Sequence, residues 1–203
     1  MTRSAWLKDA LQIPLPEDPA LVLDGCRRLL GPNLFSALPG AVGDALCPGR
    51  DPDEVLRAWL DQVRGLLDDL GWPDVALTGR RFDGGASVFL AAAVDRLFSA
   101  AYVIEAGWCL AASEMLGRET WPMARMLDEL RRISTREANP ALIRLVEQAR
   151  GRGIDRLLDD DAITLGHGTG SRTWGHDALP QEIDWNALHD VPLALVTGTN
   201  GKT

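Results

Sequence analysis

The stretch Val-Pro-Leu-Ala-Leu-Val-Thr-Gly-Thr-Asn-Gly-Lys-Thr at 191–203 decides the fold class of this chain. Its first part, 191–197, is a short apolar run, the pattern of a strand buried on both faces. A glycine turn follows. Gly198 and Gly201 let backbone N–H groups point at an anion with no Cβ in the way, across a turn completed by Thr199 and Asn200. A helix starting near Gly201 would aim its N-terminal dipole at the same anion. Lys202 would reach the β- and γ-phosphates as a mobile positive charge, and the Thr203 hydroxyl would ligate Mg2+. The reading therefore predicts ATP and Mg2+ at Gly198, Thr199, Asn200, Gly201, Lys202 and Thr203, with Thr203 on the metal. The strict Walker pattern has a glycine where this chain has Val196, so the loop is a variant. No catalytic residue is assigned.

Working back from this loop, a polar linker with Pro180, Gln181, Glu182 and Asp184 precedes it. Further upstream, Ala-Ile-Thr-Leu at 162–165 and Arg-Thr-Trp at 172–174 flank Gly-His-Gly-Thr-Gly-Ser. This predicts a small β-hairpin or glycine loop. Its amides could cradle a phosphate, but a plain turn is favoured because no helix start follows it. The expected fold class is α/β, with a predominantly helical N-terminal domain over 1–158. A hairpin and linker would follow over 159–190, and then, over 191–203, the first strand of a P-loop ATPase domain.

The helical expectation rests on four segments. Over 52–70, Asp51 reads as N-cap, Pro52 as the first helical residue and Glu54 as the capping-box partner. Val55, Leu56, Trp59, Leu60, Val63, Leu66, Leu67 and Leu70 form one apolar stripe, ended by Gly71 and Pro73. Residues 75–78 suggest a short strand, and Asp-Gly-Gly at 83–85 a turn. The apolar stretch 86–116 predicts one long buried helix. Asp95, Arg96, Glu105 and Glu114 make it too charged to span a membrane. A third helix over about 121–135 carries Met123, Met126, Leu127, Leu130 and Ile133. A fourth starts at Asn139–Pro140 with Leu142, Leu145, Val146 and Ala149 inward. At the start of the chain, the prolines of 13–19 predict an irregular lead-in, and Gly31-Pro32-Asn33 a turn.

Composition excludes some functions. The 203 residues are 46% hydrophobic and 25% charged, an ordinary globular balance. A net charge of -8 and a pI near 4.9 argue against non-specific nucleic-acid binding. Three cysteines without Cys-x-x-Cys spacing argue against a disulfide framework and for a reducing, cytoplasmic setting. The first residues show no apolar signal segment.

Three further groups invite a functional reading. Glu105 lies inside an apolar helix, where a structural contact is favoured over a substrate role. His167, His176 and His189 lack metal-ligand spacing and an evident carboxylate cluster, which favours loop histidines. Arg131, Arg132, Arg136, Arg150 and Arg152 read as solvated helix faces rather than an acidic-ligand site.

Several segments in order along the chain carry a resemblance. Leu-Leu-Gly-Pro-Asn-Leu-Phe-Ser at 29–36, Tyr-Val-Ile-Glu-Ala-Gly-Trp-Cys-Leu at 102–110 and the helix 144–157 do so, together with Leu-Gly-His-Gly at 165–168 and the loop at 197–203. Together they resemble the cyanophycin synthetase branch of the Mur ligase family. Tyr102 and Ala106 stand where that family has histidines. The ATP-grasp domain that those enzymes insert between glycine hairpin and P-loop is replaced by the short linker.

The resemblance implies the N-terminal portion of an ATP-dependent carboxylate–amine ligase. ATP would phosphorylate a substrate carboxylate, and an amino acid amine would displace the phosphate. Its partners would be an amino acid and a carboxylate substrate, not nucleic acid or a membrane, and a homo-oligomer is compatible with it. The rest of the nucleotide site is expected beyond Thr203, so the 203 residues alone are expected to bind ATP weakly and turn nothing over. The alternative is a non-catalytic substrate-binding or dimerisation module. A P-loop kinase or GTPase is disfavoured by the Asn-Gly-Lys-Thr form of the loop.

Overall fold

The computed structural model of the chain describes residue 16, residues 18–120 and residues 122–192. It is a mixed α/β structure of helices and two small antiparallel sheets. The chain divides into two compact units, Met1–Asn139 and Pro140–Thr203.

In the first unit, β1 (Val22–Leu29), β2 (Gly40–Leu46), β3 (Leu77–Phe82) and β4 (Gly85–Ala91) form one sheet in the order β1-β2-β4-β3, antiparallel throughout. Helices α1 (Pro52–Leu70) and α2 (Leu97–Met115) pack on the sheet and on each other, and α3 (Met123–Glu137) packs on α2. The apolar stripe expected over 52–70 is the reason α1 forms where it does. Val55, Trp59, Val63, Leu66 and Leu67 are its buried residues. Asp51 Oδ1 accepts from the Asp53 N–H at 3.0 Å, and Gly71 ends the helix in the left-handed region at φ 76°.

The expected single helix over 86–116 is instead two elements. Gly85–Ala91 is the strand β4, and α2 begins only at Leu97. Every residue of β4 is buried, so the strand shows no alternation, and periodicity cannot separate it from a buried helix. The turn at Asp83–Gly84, with Gly84 at φ 72°, is a two-residue hairpin joining Phe82 to its register partner Gly85. The helices of the expected N-terminal domain are present, and a four-stranded sheet accompanies them. The short strand expected at 75–78 starts at Leu77 and runs on to Phe82.

Trp59 lies at the centre of this unit and is fully buried. Its indole N–H donates to the Ile104 carbonyl of α2 at 2.9 Å, and its ring meets Trp108 edge-on with centroids 5.0 Å apart. The buried Trp108 indole N–H has no hydrogen-bond partner. Bare backbone makes these approaches close. A Cβ on Gly43 of β2 would sit 2.5 Å from Ile104 Cγ2 and 3.0 Å from the Trp59 ring. One on Gly107 of α2 would sit 2.4 Å from Val63 Cγ2.

Arg96, which precedes α2, supplies no side-chain cap. Glu137, the last residue of α3, does so from a distance. Its carboxylate accepts from the Phe98 N–H (2.6 Å), the Ser99 N–H (2.7 Å) and the Ser99 hydroxyl (2.6 Å). It thus satisfies orphan donors and places negative charge at the positive end of the helix dipole.

In the second unit, α4 (Pro140–Gly151) starts with proline at its first position and buries Leu142, Leu145 and Ala149. The expected hairpin is a three-stranded sheet, β5 (Arg156–Leu158), β6 (Ala162–Leu165) and β7 (Arg172–Gly175), in that order. Among the described residues no helix is long and apolar enough to cross a membrane.

Two stability measurements check this account. Trp59→Phe should lower unfolding free energy, read from urea denaturation, by about 1 kcal/mol more than Trp108→Phe, because only Trp59 loses a hydrogen bond. Glu137→Ala should cost about 1–3 kcal/mol in the same assay, with Glu137→Gln closer to wild type.

Candidate functional site

The loop residues Gly198, Thr199, Asn200, Gly201, Lys202 and Thr203, and the run 193–197 before them, lie outside the described residues. The structure does describe how the chain reaches Pro192. That approach is built from β6, the glycine segment 166–171 and residues 188–191.

The glycine segment is held to its neighbours by its own backbone. The Gly166 N–H donates to the Asp155 carbonyl (2.9 Å), and the His167 N–H donates to the His189 carbonyl (3.1 Å). The His189 N–H returns a bond to the Gly170 carbonyl (3.1 Å), and the Gly170 N–H donates to the His167 carbonyl (3.2 Å). Gly168–Gly170 form a single 3-10 turn. The Gly166, His167 and Gly170 amides are thus turned inward to main-chain acceptors, the arrangement of a turn rather than of an anion cradle. Its glycines have a steric cause. Gly166 has φ 75°, and a Cβ there would lie 2.5 Å from the Gly170 carbonyl oxygen; a Cβ on Gly170 would lie 2.4 Å from the His189 carbonyl oxygen. Glycine lets the 189 segment lie directly on the loop.

His167 has neighbours that its sequence context does not reveal. Its Nε2 lies 3.4 Å from Asp155 Oδ2 and 4.0 Å from Asp190 Oδ1, and its side chain is 11% exposed. The expectation that no carboxylate cluster joins the histidines is corrected here. Asp155 sits before β5 and Asp190 near the end of the described chain, so only the fold brings them to His167. The Asp155 N–H also donates to Asp190 Oδ2 at 3.0 Å, fixing that carboxylate. One donor atom from each of the three residues lies within 4.8 Å of the others. An imidazole nitrogen and two carboxylate oxygens so gathered are donors of the kind that hold a divalent cation.

The remaining candidates resolve as structural features. Glu105 is 2% exposed in the core beside Cys26 and Cys109. Burial first, and the Glu105 charge second, push both thiols well above their ordinary range. All three cysteines are free and buried, which keeps them as inert thiols. Ala106, at one of the two positions where the resembled family has histidine, is buried in the core. Arg132 pairs with Glu129, whose carboxyl is held below its usual range by the Arg132 hydrogen bond. Arg131 donates to the Asp69 carbonyl at 2.9 Å, and Arg152 stacks 4.2 Å over the Trp185 ring. These contacts are those of solvated helix faces.

Each unit also carries a cavity. One of about 340 Å3 opens in the first unit between Trp72, Leu90, Asp95, Arg96 and Ala100. One of about 750 Å3 lies in the second unit between α4 and residues 179–185, with Arg144, Gln148 and Trp185 on its wall. Neither was legible in the sequence, because each is lined from segments distant along the chain.

No family model matches the chain, and no curated protein matches it.

The close packing of the glycine loop on the 189 segment is open to a direct check. Gly170→Ala should release the two backbone bonds that join His189 to His167 and to Gly170. Amide exchange at His167 and His189 should then speed up about tenfold or more, as expected when ~1.4 kcal/mol of local stability is lost.

Proposed function

We propose that the chain is the N-terminal portion of an ATP-dependent carboxylate–amine ligase that works through an acyl phosphate. One observation carries the reading: the string Thr-Gly-Thr-Asn-Gly-Lys-Thr at 197–203 directly after an apolar run of strand pattern. In that reading the amides from Gly198 to Gly201 and the Lys202 ammonium neutralise charge on the transferring phosphoryl group. The Thr203 hydroxyl would hold Mg2+, whose charge would help offset the negative charge that builds up during transfer. The residues upstream act as a scaffold that delivers the chain to this loop. Support for that role comes from the backbone bonds that fix the glycine turn against His189, just before the apolar run begins.

Lys202→Ala tests the reading in the protein together with whatever follows Thr203 in its reading frame. Phosphate release from ATP that depends on an added amine and carboxylate should fall at least a hundredfold, about 2.7 kcal/mol of transition-state stabilisation. Turnover untouched by the substitution, or a stop codon directly after Thr203, would remove the ligase assignment.

A further inference from the structure

The Asp155–His167–Asp190 cluster lies among described residues and does not depend on the ligase reading. Three observations set it apart from an ordinary surface ion pair. First, the imidazole is about nine-tenths buried, and its Nε2 is aimed between two carboxylates without bonding to either. The separations of 3.4 and 4.0 Å exceed the ~2.7–3.2 Å of an N–H···O hydrogen bond. Donors sharing one tetrahedral ion, at bonds of ~2.0–2.2 Å, stand roughly 3.4 Å apart. Second, neither aspartate has an arginine or lysine ion-pair partner among the described residues, so the imidazole is the one side chain paired with both carboxylates. Third, the donor positions are preset. The Asp155 N–H holds Asp190 Oδ2, which leaves Oδ1 on the side of the histidine. The His167 N–H holds the segment bearing Asp190 through the His189 carbonyl. Such outer contacts orient ligands at metal centres.

We propose that Asp155, His167 and Asp190 bind one divalent cation of the borderline, Zn2+ type. Imidazole with two carboxylates suits such an ion, whereas Ca2+ and Mg2+ favour all-oxygen shells. Three protein donors leave a fourth position for water. The three ligands come from the residue before β5, the glycine turn and the segment leading to Pro192. The ion is therefore a clasp that ties these pieces of backbone together, and it takes no part in phosphoryl transfer.

The test uses the full 203-residue chain, stripped with a chelator and free of nucleotide. Zn2+ is titrated by calorimetry, and Co2+ serves as a spectroscopic probe. One Zn2+ per chain should bind, and Co2+ should show the visible absorption of a site with nitrogen and oxygen donors. His167→Ala and Asp155→Asn should each weaken Zn2+ binding at least ~10-fold, the size that loss of even an outer-shell partner brings. His176→Ala should leave it unchanged. Asp155 is 75% exposed, so its variant reports on binding even if His167→Ala unfolds the unit. No stoichiometric Zn2+ in the wild type, or binding equal to wild type in both the Asp155 and His167 variants, overturns the proposal. Loss of Lys202-dependent turnover would leave it standing.

Discussion

In the first unit everything hangs on how closely three elements can meet around Trp59. The indole fills the space between α1, α2 and β2, and its N–H reaches over to a carbonyl of α2. A side chain of that size buries enough apolar surface for its removal to cost about 3–5 kcal/mol. It fits because the facing position on the strand is Gly43, and Gly107 of α2 lets α1 come close one turn further on, at Val63. Large and small residues alternate across the contact, so packing density is reached without strain. The same contact sets the register of β2. A slip of one residue would bring Val42 or Asp44 under the ring and put Gly43 on the open face.

The second unit uses glycine for a related purpose, with a different neighbour. There the bare positions admit backbone: the His189 carbonyl sits where a Cβ on Gly170 would be. A glycine-rich string in a sequence is therefore open to two physical causes. One is an anion that needs amides, and the other is a second strand of chain that needs room. Where the amides point distinguishes them. At Gly166, His167, Gly170 and Ser171 they point at main-chain carbonyls. In 198–201 the case for an anion rests on the preceding apolar run and the following lysine.

How far the sequence could be read depended on whether the information was local. Helix α1 was legible to the residue because its cap, its stripe and its glycine stop lie within one stretch. The starts of α3 and α4 were placed to within a few residues for the same reason. The stretch 86–116 was misread because β4 is buried on both faces, and its apolar residues carry no period. The boundary signals were present: Gly84 before it and Asp95–Arg96 after it. Yet they interrupted a composition that also suits a buried helix. Glu137 as the cap of α2, and the two aspartates beside His167, could not be read at all. Each contact joins residues that only the tertiary fold makes neighbours.

The proposed clasp and the proposed phosphate loop, though close in sequence, would be separable in space. If the run 191–197 is extended, as its pattern predicts, the eight residue steps from Asp190 to Gly198 span roughly 26 Å at ~3.3 Å per residue. That is more than twice the ~8 Å Debye length at physiological ionic strength. The paired carboxylates at the near end would therefore exert little repulsion on a triphosphate at the far end, and a cation between them would add little attraction. What the clasp can transmit is mechanical. It would fix the backbone at Asp190, next to the start of the apolar run. A loop whose function is to present amides within hydrogen-bond length of phosphate oxygens gains from such a fixed origin, because a displacement of one ångström at the donors is enough to lose the bond.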